Sequence, residues 1–154
     1  MNLLTQNTKL KRTSKQLGVR VFNFGIPAYK SASGKLTCPM ADKCVAFCYA
    51  KKGAYIWSNV QPAFEKRYQL SKTDDFIDIA AIHPQIKFYS YTNCVEMLKN
   101  VDLPDNYDII YSDSGKQVHM IDQTKDRHTR IFHDHTELIA CGYVDASKID
   151  LYAT

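Results

Sequence analysis

The sequence predicts a small α/β domain with a mixed, partly parallel sheet and flanking helices, close in layout to half of a shortened barrel. Three observations carry this. The chain has 154 residues, enough for one core-bearing domain without a disulfide scaffold. Its composition, 45% hydrophobic and 23% charged, is that of an ordinary globular protein and excludes collagen-like, coiled-coil and disordered classes. Strand-like and helix-like segments alternate along it, the pattern of α/β layers.

Residues 1–17 are basic and polar without clear periodicity and read as a flexible arm, leaving 18–154 as the domain. Val19 to Phe24 alternates apolar and polar residues and reads as a strand closed by Gly25 and Pro27. A loop through Ser31, Ser33 and Gly34 leads to Cys38-Pro39, and a helix is expected from Ala41 to about Lys51, stopped by Gly53. Ser58 or Asn59 can cap a second helix with Pro62 in its first turn. Thr73, Asp74 and Asp75 suit the start of a third, ending before His83-Pro84. Ile86 to Thr92 gives the strongest strand signal, and a short helix over 94–100 follows. Further strands are expected at Tyr107 to Tyr111 and Val118 to Ile121, with the turn Asp113-Ser114-Gly115 between them. Arg130-Ile131-Phe132 then leads to a short helix from Thr136 to Cys141, closed by Gly142.

No segment reaches the roughly 20 apolar residues of a membrane helix, so no membrane partner is expected. Met1 to Thr5 lacks the apolar core of roughly 7–15 residues that a secretory signal carries, so the expected location is the cytoplasm. In that reducing compartment five cysteines, at 38, 44, 48, 94 and 141, are more often metal ligands or catalytic groups than disulfides.

Charge is polarised along the chain. Residues 1–72 hold thirteen Lys or Arg against two acids, whereas the remainder holds seven against fourteen, within a net +4. The basic half, interleaved with Phe22, Phe24, Tyr29, Tyr49, Tyr55 and Trp57, suits a nucleic-acid backbone with aromatics stacked on bases. The other reading is that the opposite-charge halves cover one another, within one molecule or across a homo-oligomer.

The densest chemical signal is Cys38-Pro39-Met40-Ala41-Asp42-Lys43-Cys44-Val45-Ala46-Phe47-Cys48. On a helix Cys44 and Cys48 would share a face, with Cys38 approaching from the preceding loop. Thiolates are the ligand form, and Lys43, Lys51 and Lys52 favour them. The alternative is that Cys44 and Cys48 are small buried apolar groups. A paired zinc knuckle is missing because Cys94 and Cys141 stand alone, so a closed zinc site needs a fourth ligand, for which His133 and His135 are the best candidates. A solvent-facing pair at a helix entrance is the plainer reading of those histidines. Three cysteines alone would suit an iron–sulfur cluster with one open iron. Arg67 joins the three lysines as a candidate anion or nucleic-acid contact. Cys94 with His119, and Asp113 at a strand end, are weaker candidates whose plainer readings are a buried thiol and a turn. Glycine-rich phosphate loops and a Gly-x-Ser-x-Gly elbow are missing.

Asn23-Phe24-Gly25-Ile26-Pro27-Ala28, the segment from Cys38 to Tyr55, then Asn59, Arg67-Tyr68, Phe88 to Thr92 and Gly142 to Asp145 together resemble the phage gene product 88 proteins. The resemblance covers most of the chain from Asn23, and its specific part is the cysteine segment. It implies a phage or prophage origin and names no activity. The loop ending Cys48-Tyr49-Ala50 is also similar to that of radical enzymes cleaving S-adenosylmethionine, although those space their cysteines three and two residues apart and this chain has five and three between. The chain looks shortened between Phe76 and His83 and again after Asp150, relative to the family pattern. The functional expectation is therefore a three-cysteine metal protein. It is either an iron–sulfur enzyme acting on a small nucleotide-like cosubstrate or a zinc-stapled protein binding nucleic acid or a host defence complex.

Overall fold

The computed structural model describes residues 4–71 and 76–146. In chain order its elements are α1 (Thr8–Leu17), α2 (Gln61–Leu70), α3 (Phe76–Ile82), β1 (Phe88–Thr92), α4 (Val95–Leu98), β2 (Tyr107–Ser112), β3 (His128–Thr129) and α5 (His135–Ala140). Short 3-10 turns fall at 43–45, 49–51, 53–56 and 118–120. This is a small α/β fold, as the alternating pattern predicts. The described strands form one open parallel sheet in the order β1-β2-β3.

Contacts divide the chain into two compact units, Met1–Gly25 with Phe132–Thr154, and Ile26–Ile131. In the first, residues 8–17 form a helix where the sequence reads as an arm. The Asn7 side chain caps it by accepting from the Leu10 N–H at 2.9 Å, and Gly18 ends it at φ +68°, a left-handed value that glycine adopts freely. Its buried positions are Leu10 and Thr13. The strand expected at 19–24 does not form. Gln6 Nε2 donates to the Val21 carbonyl and the Val21 N–H donates to Ser14 Oγ, both at 2.9 Å. These side chains thus satisfy the backbone groups a neighbouring strand would have paired, and one two-residue bridge, Thr5 with Asn23, remains. In α5 the Asp134 carboxylate caps the helix by accepting from Thr136 N–H, and the Phe132 and Tyr143 rings meet edge-on at 4.9 Å.

The second unit holds the sheet. In register, Phe88 pairs with Tyr107 and Thr92 with Tyr111, while Tyr111 pairs with His128. The stacked rings of Phe88 and Tyr107 lie 6.0 Å apart, and Ser90 Oγ and Tyr107 OH share a 2.6 Å hydrogen bond. Val95, Tyr111 and Ile121 form the buried cluster, with Leu98, Ile109 and Met120 packed against it. α2 begins at Gln61 with Pro62 in its first turn, where a missing N–H costs nothing; its cap position is Val60 rather than Ser58 or Asn59. The expected start of α3 at Thr73, Asp74 and Asp75 lies outside the described residues.

Two expectations in this unit are corrected. Residues Val118–Met120 form a 3-10 turn that delivers Met120 and the following Ile121 to the core cluster rather than a strand. The helix expected over 41–51 is replaced by the 3-10 turns at 43–45 and 49–51. Val45, Phe47 and Tyr49 are weak helix formers, and Lys51 Nζ donates to the Val45 carbonyl at 2.9 Å, taking an acceptor the helix would have used. Among the described residues no helix is long and apolar enough to cross a membrane.

Candidate three-cysteine site

The cysteine segment is fastened to the sheet where its strands end. Ala41 forms an antiparallel bridge with Gly115, and Lys116 N–H donates to the Met40 carbonyl at 2.8 Å. Gly115 follows β2 and Asn93 follows β1, so Cys38 to Ala41 lies beside the carboxyl ends of two parallel strands. In open α/β sheets that edge is where ligands bind. Gly115 is buried, and a Cβ built there would fall 2.6 Å from Asn93 Oδ1 and 2.9 Å from the Met40 carbonyl, so glycine is what lets three segments converge. Asn93 Oδ1 itself is buried without a hydrogen-bond partner among the described groups.

Upstream, the bridge between Lys30 and Leu36 folds the 29–37 loop back on itself. Thr37 N–H donates to the Tyr29 carbonyl at 2.8 Å and Lys30 N–H donates to Ala28 at 2.9 Å. Tyr29 sits at the centre of that three-residue turn with φ +67°, a costly conformation for a residue bearing a Cβ. One product of the strain is that the Tyr29 N–H points at Cys38 and donates to Sγ at 3.2 Å. Burial pushes the Cys38 thiol above its ordinary value, the Tyr29 N–H opposes this, and the charges of Cys48 and Cys44 add to the rise. Cys44 and Cys48 thus lie within electrostatic reach of Cys38.

All three sulfurs belong to free, half-buried cysteines, with Cys44 in the first 3-10 turn and Cys48 just beyond it. Without a helix they do not share one face by i,i+4 spacing. Among the described residues no three His, Cys, Asp or Glu side chains are gathered as a metal-holding group. His133 and His135 are exposed, flank the α5 cap residue Asp134, and belong to the unit that does not contain Cys38, Cys44 or Cys48.

The predicted cations divide into two kinds. Lys43, Lys51 and Lys52 are exposed. Lys51 Nζ also stands 4.6 Å from the centre of the Tyr29 ring, within cation–π range. Arg67 is 5% exposed with its guanidinium 5.7 Å from the centre of the Phe64 ring, so it backs a wall of the fold instead of offering a surface contact. Cys94 is half-buried at the cap position of α4, its N–H donating to Thr92 Oγ1 at 3.0 Å, while His119 is exposed. Asp113 is largely buried and pairs with Arg130 Nε at 3.5 Å, while its N–H donates to the Thr129 carbonyl. That pair fixes the exits of β2 and β3.

Sequence reasoning missed Tyr29, Asn93 and Gly115. Only Gly115, beside a serine and an aspartate at a strand end, carried a local signal, and that signal marks a turn. The other two depend on contacts between residues far apart in sequence.

One family description, Gene product 88, matches residues 1–82 and 73–153. The two matches overlap at 73–82, the stretch where the sequence looks shortened. No curated protein and no solved structure matches the chain.

Proposed function

Because the chain belongs to the Gene product 88 family, we propose that it acts in phage-infected or prophage-bearing cytoplasm as a metal-binding protein whose ligands are Cys38, Cys44 and Cys48. The observation that supports this is the Tyr29 N–H aimed at Cys38 Sγ, on a segment fastened to the sheet edge through Ala41 and Gly115. Hydrogen bonds to sulfur are a means by which proteins tune thiolate-bound metals. The donor set is therefore chemically suited to a metal. Uptake draws the sulfurs together, a movement suited to a segment built of short 3-10 turns.

We favour an iron–sulfur cluster over zinc because three cysteines would leave one iron open, whereas a closed zinc site needs a fourth ligand. Cys38, Cys44 and Cys48 would hold the cluster, and its open iron would be available to a small nucleotide-like cosubstrate. In this reading the protein holds Cys38 in place through Tyr29 and fixes the loop against the sheet edge through Ala41 and Gly115.

The test is metal and sulfide analysis of protein purified without oxygen. Brown protein carrying iron and sulfide, lost in Cys44→Ser, is the expected result. Colourless protein with one zinc per chain replaces the cluster with a staple and moves weight to the nucleic-acid or host-complex reading. Protein without metal, or metal content unchanged in Cys44→Ser, removes the cysteine assignment.

A further inference from the structure

Beside the cysteine segment, residues Pro27, Tyr29, Lys30, Lys51, Tyr55 and Phe64 are among those lining a cavity of about 240 Å³. Its walls have two chemical characters. Tyr55 and Phe64 stack on one another at 5.4 Å between centroids, so the pair offers a further ring an outer face rather than a joint surface. Lys51 and Lys30 hold their ammonium groups 4.6 and 5.7 Å from the centre of the Tyr29 ring, so positive charge collects at one end. Lys51 Nζ has three donors and spends one on the Val45 carbonyl. The nearby acid, Glu65, is turned away from this use. It accepts from Ala32 N–H and Ser33 Oγ, both at 3.1 Å, and from Gln69 at 2.8 Å, which pins the 31–34 loop that closes one side. Arg67 stands behind Phe64 and is not among the residues lining the cavity.

We propose that this cavity binds a small planar anion: one heteroaromatic ring carrying a phosphate, of mononucleotide size. A ring stacks on the outer face of the Tyr55–Phe64 pair, where base–aromatic stacking contributes about 1–3 kcal/mol, and the anion is received by Lys51 and Lys30. The volume lies below the roughly 300–1,000 Å³ of drug-sized pockets, which excludes a dinucleotide held whole. Tyr29 joins the two places, since its ring lines the cavity and its N–H meets Cys38. The proposal gives a position to the cosubstrate of the metal reading, yet it rests on residues that are not ligands.

The test is calorimetric titration of the full chain, as purified and as the Cys44→Ser variant, with adenosine monophosphate and uridine monophosphate, and then with adenosine and inorganic phosphate alone. Both mononucleotides should bind, and adenosine and phosphate should each bind at least tenfold more weakly. Lys51→Ala should weaken nucleotide binding about tenfold, with some loss of melting temperature because its bond to the Val45 carbonyl goes too. Lys30→Ala, at an exposed position, is the second variant and should weaken it several-fold. Retained binding in Cys44→Ser would support the pocket whatever the metal analysis gives. Absence of nucleotide binding up to millimolar concentration, equal affinity for phosphate alone, or unchanged affinity in both lysine variants would overturn the proposal while leaving the cysteine reading untouched.

Discussion

Gly115 and Asn93 are packed so closely that a single methyl group on Gly115 would stand 2.6 Å from Asn93 Oδ1. Neither residue is near Cys38, Cys44 or Cys48 in sequence, yet the pair sets how closely Met40 can approach the end of the sheet. Gly115→Ala must push away either a side-chain amide or the Met40 backbone carbonyl, 2.9 Å from the same point. Overpacking of this kind costs about 1–3 kcal/mol, and at this chain length each kcal/mol lowers Tm by about 2–4 °C. Thermal unfolding should therefore fall by several degrees. Adding Asn93→Ser to Gly115→Ala should recover part of that loss, because one of the two clashing groups is gone; full additivity of the two losses would contradict the contact.

Asn106 holds the junction before the sheet. Its Nδ2 shares two N–H donors among the carbonyls of Ala80, His83 and Ile86 at 2.9, 3.0 and 2.8 Å, closing the end of α3 against the approach to β1. In Asn106→Ala the Ala80 and His83 carbonyls keep the His83 and Ile86 N–H groups and the Ile86 carbonyl turns to water, at about 1 kcal/mol. Asn106→Asp removes the donor while keeping the shape and should be at least as damaging. Denaturant unfolding of both variants checks this, and a midpoint unchanged for Asn106→Asp would refute the clamp.

Much of the fold was legible because several elements announce themselves locally. Pro62 near the start of α2, the β-branched and aromatic run into β1 and Gly142 as a helix stop each act within a few residues, whereas the helix at 8–17 reads, without clear periodicity, as an arm. The misplaced elements fail for the opposite reason. Val19 to Phe24 has a strand's pattern, but Gln6 and Ser14 take its backbone groups, and no local pattern reports a partner seven or fifteen positions away. Cys44 and Cys48 have helical spacing, but Lys51 reaches back to Val45 and the segment turns more tightly. Lys43, Lys51 and Lys52 were readable as exposed cations, while Arg67 looks identical in sequence and is buried against Phe64. Tyr29 was readable as one aromatic among the basic residues, but its backbone angle and its N–H bond to Cys38 were not.

The pH response can be assigned a sign through Asp126. Burial raises its carboxyl, but the Lys99 ammonium at 2.9 Å and the Asp122 N–H at 2.7 Å outweigh that and hold it below its ordinary value of 3.8. The folded state thus binds the proton more weakly than the unfolded chain. The associated stability is present above about pH 3.8 and is lost as pH falls through the lower folded value. Lys99→Met should destabilise by about 1 kcal/mol or less, since solvent reaches the pair, in addition to its lost bond to the Met120 carbonyl. Chemical denaturation at several pH values should find the difference between variant and parent constant near neutrality and shrinking below pH 3.8. A difference that widens in acid would have the wrong sign for this pair.

Tyr29 offers a separation of backbone from side chain. At φ +67° a residue with a Cβ is strained by about 1–3 kcal/mol, and β-branched residues tolerate the region worst. Tyr29→Val should therefore lose stability through both strain and the missing ring. Tyr29→Gly also loses the ring but relieves the strain, so it should melt several degrees above Tyr29→Val despite having the smaller side chain. Ordinary core logic gives the reverse order, because deleting more atoms costs more. If the two variants follow that ordinary order, the turn is not strained and the N–H of residue 29 needs another reason to face Cys38. If glycine melts higher, the turn is held by its surroundings in a conformation that tyrosine resists. Metal retention measured on Tyr29→Gly then reads the backbone N–H contribution to Cys38 with the ring removed.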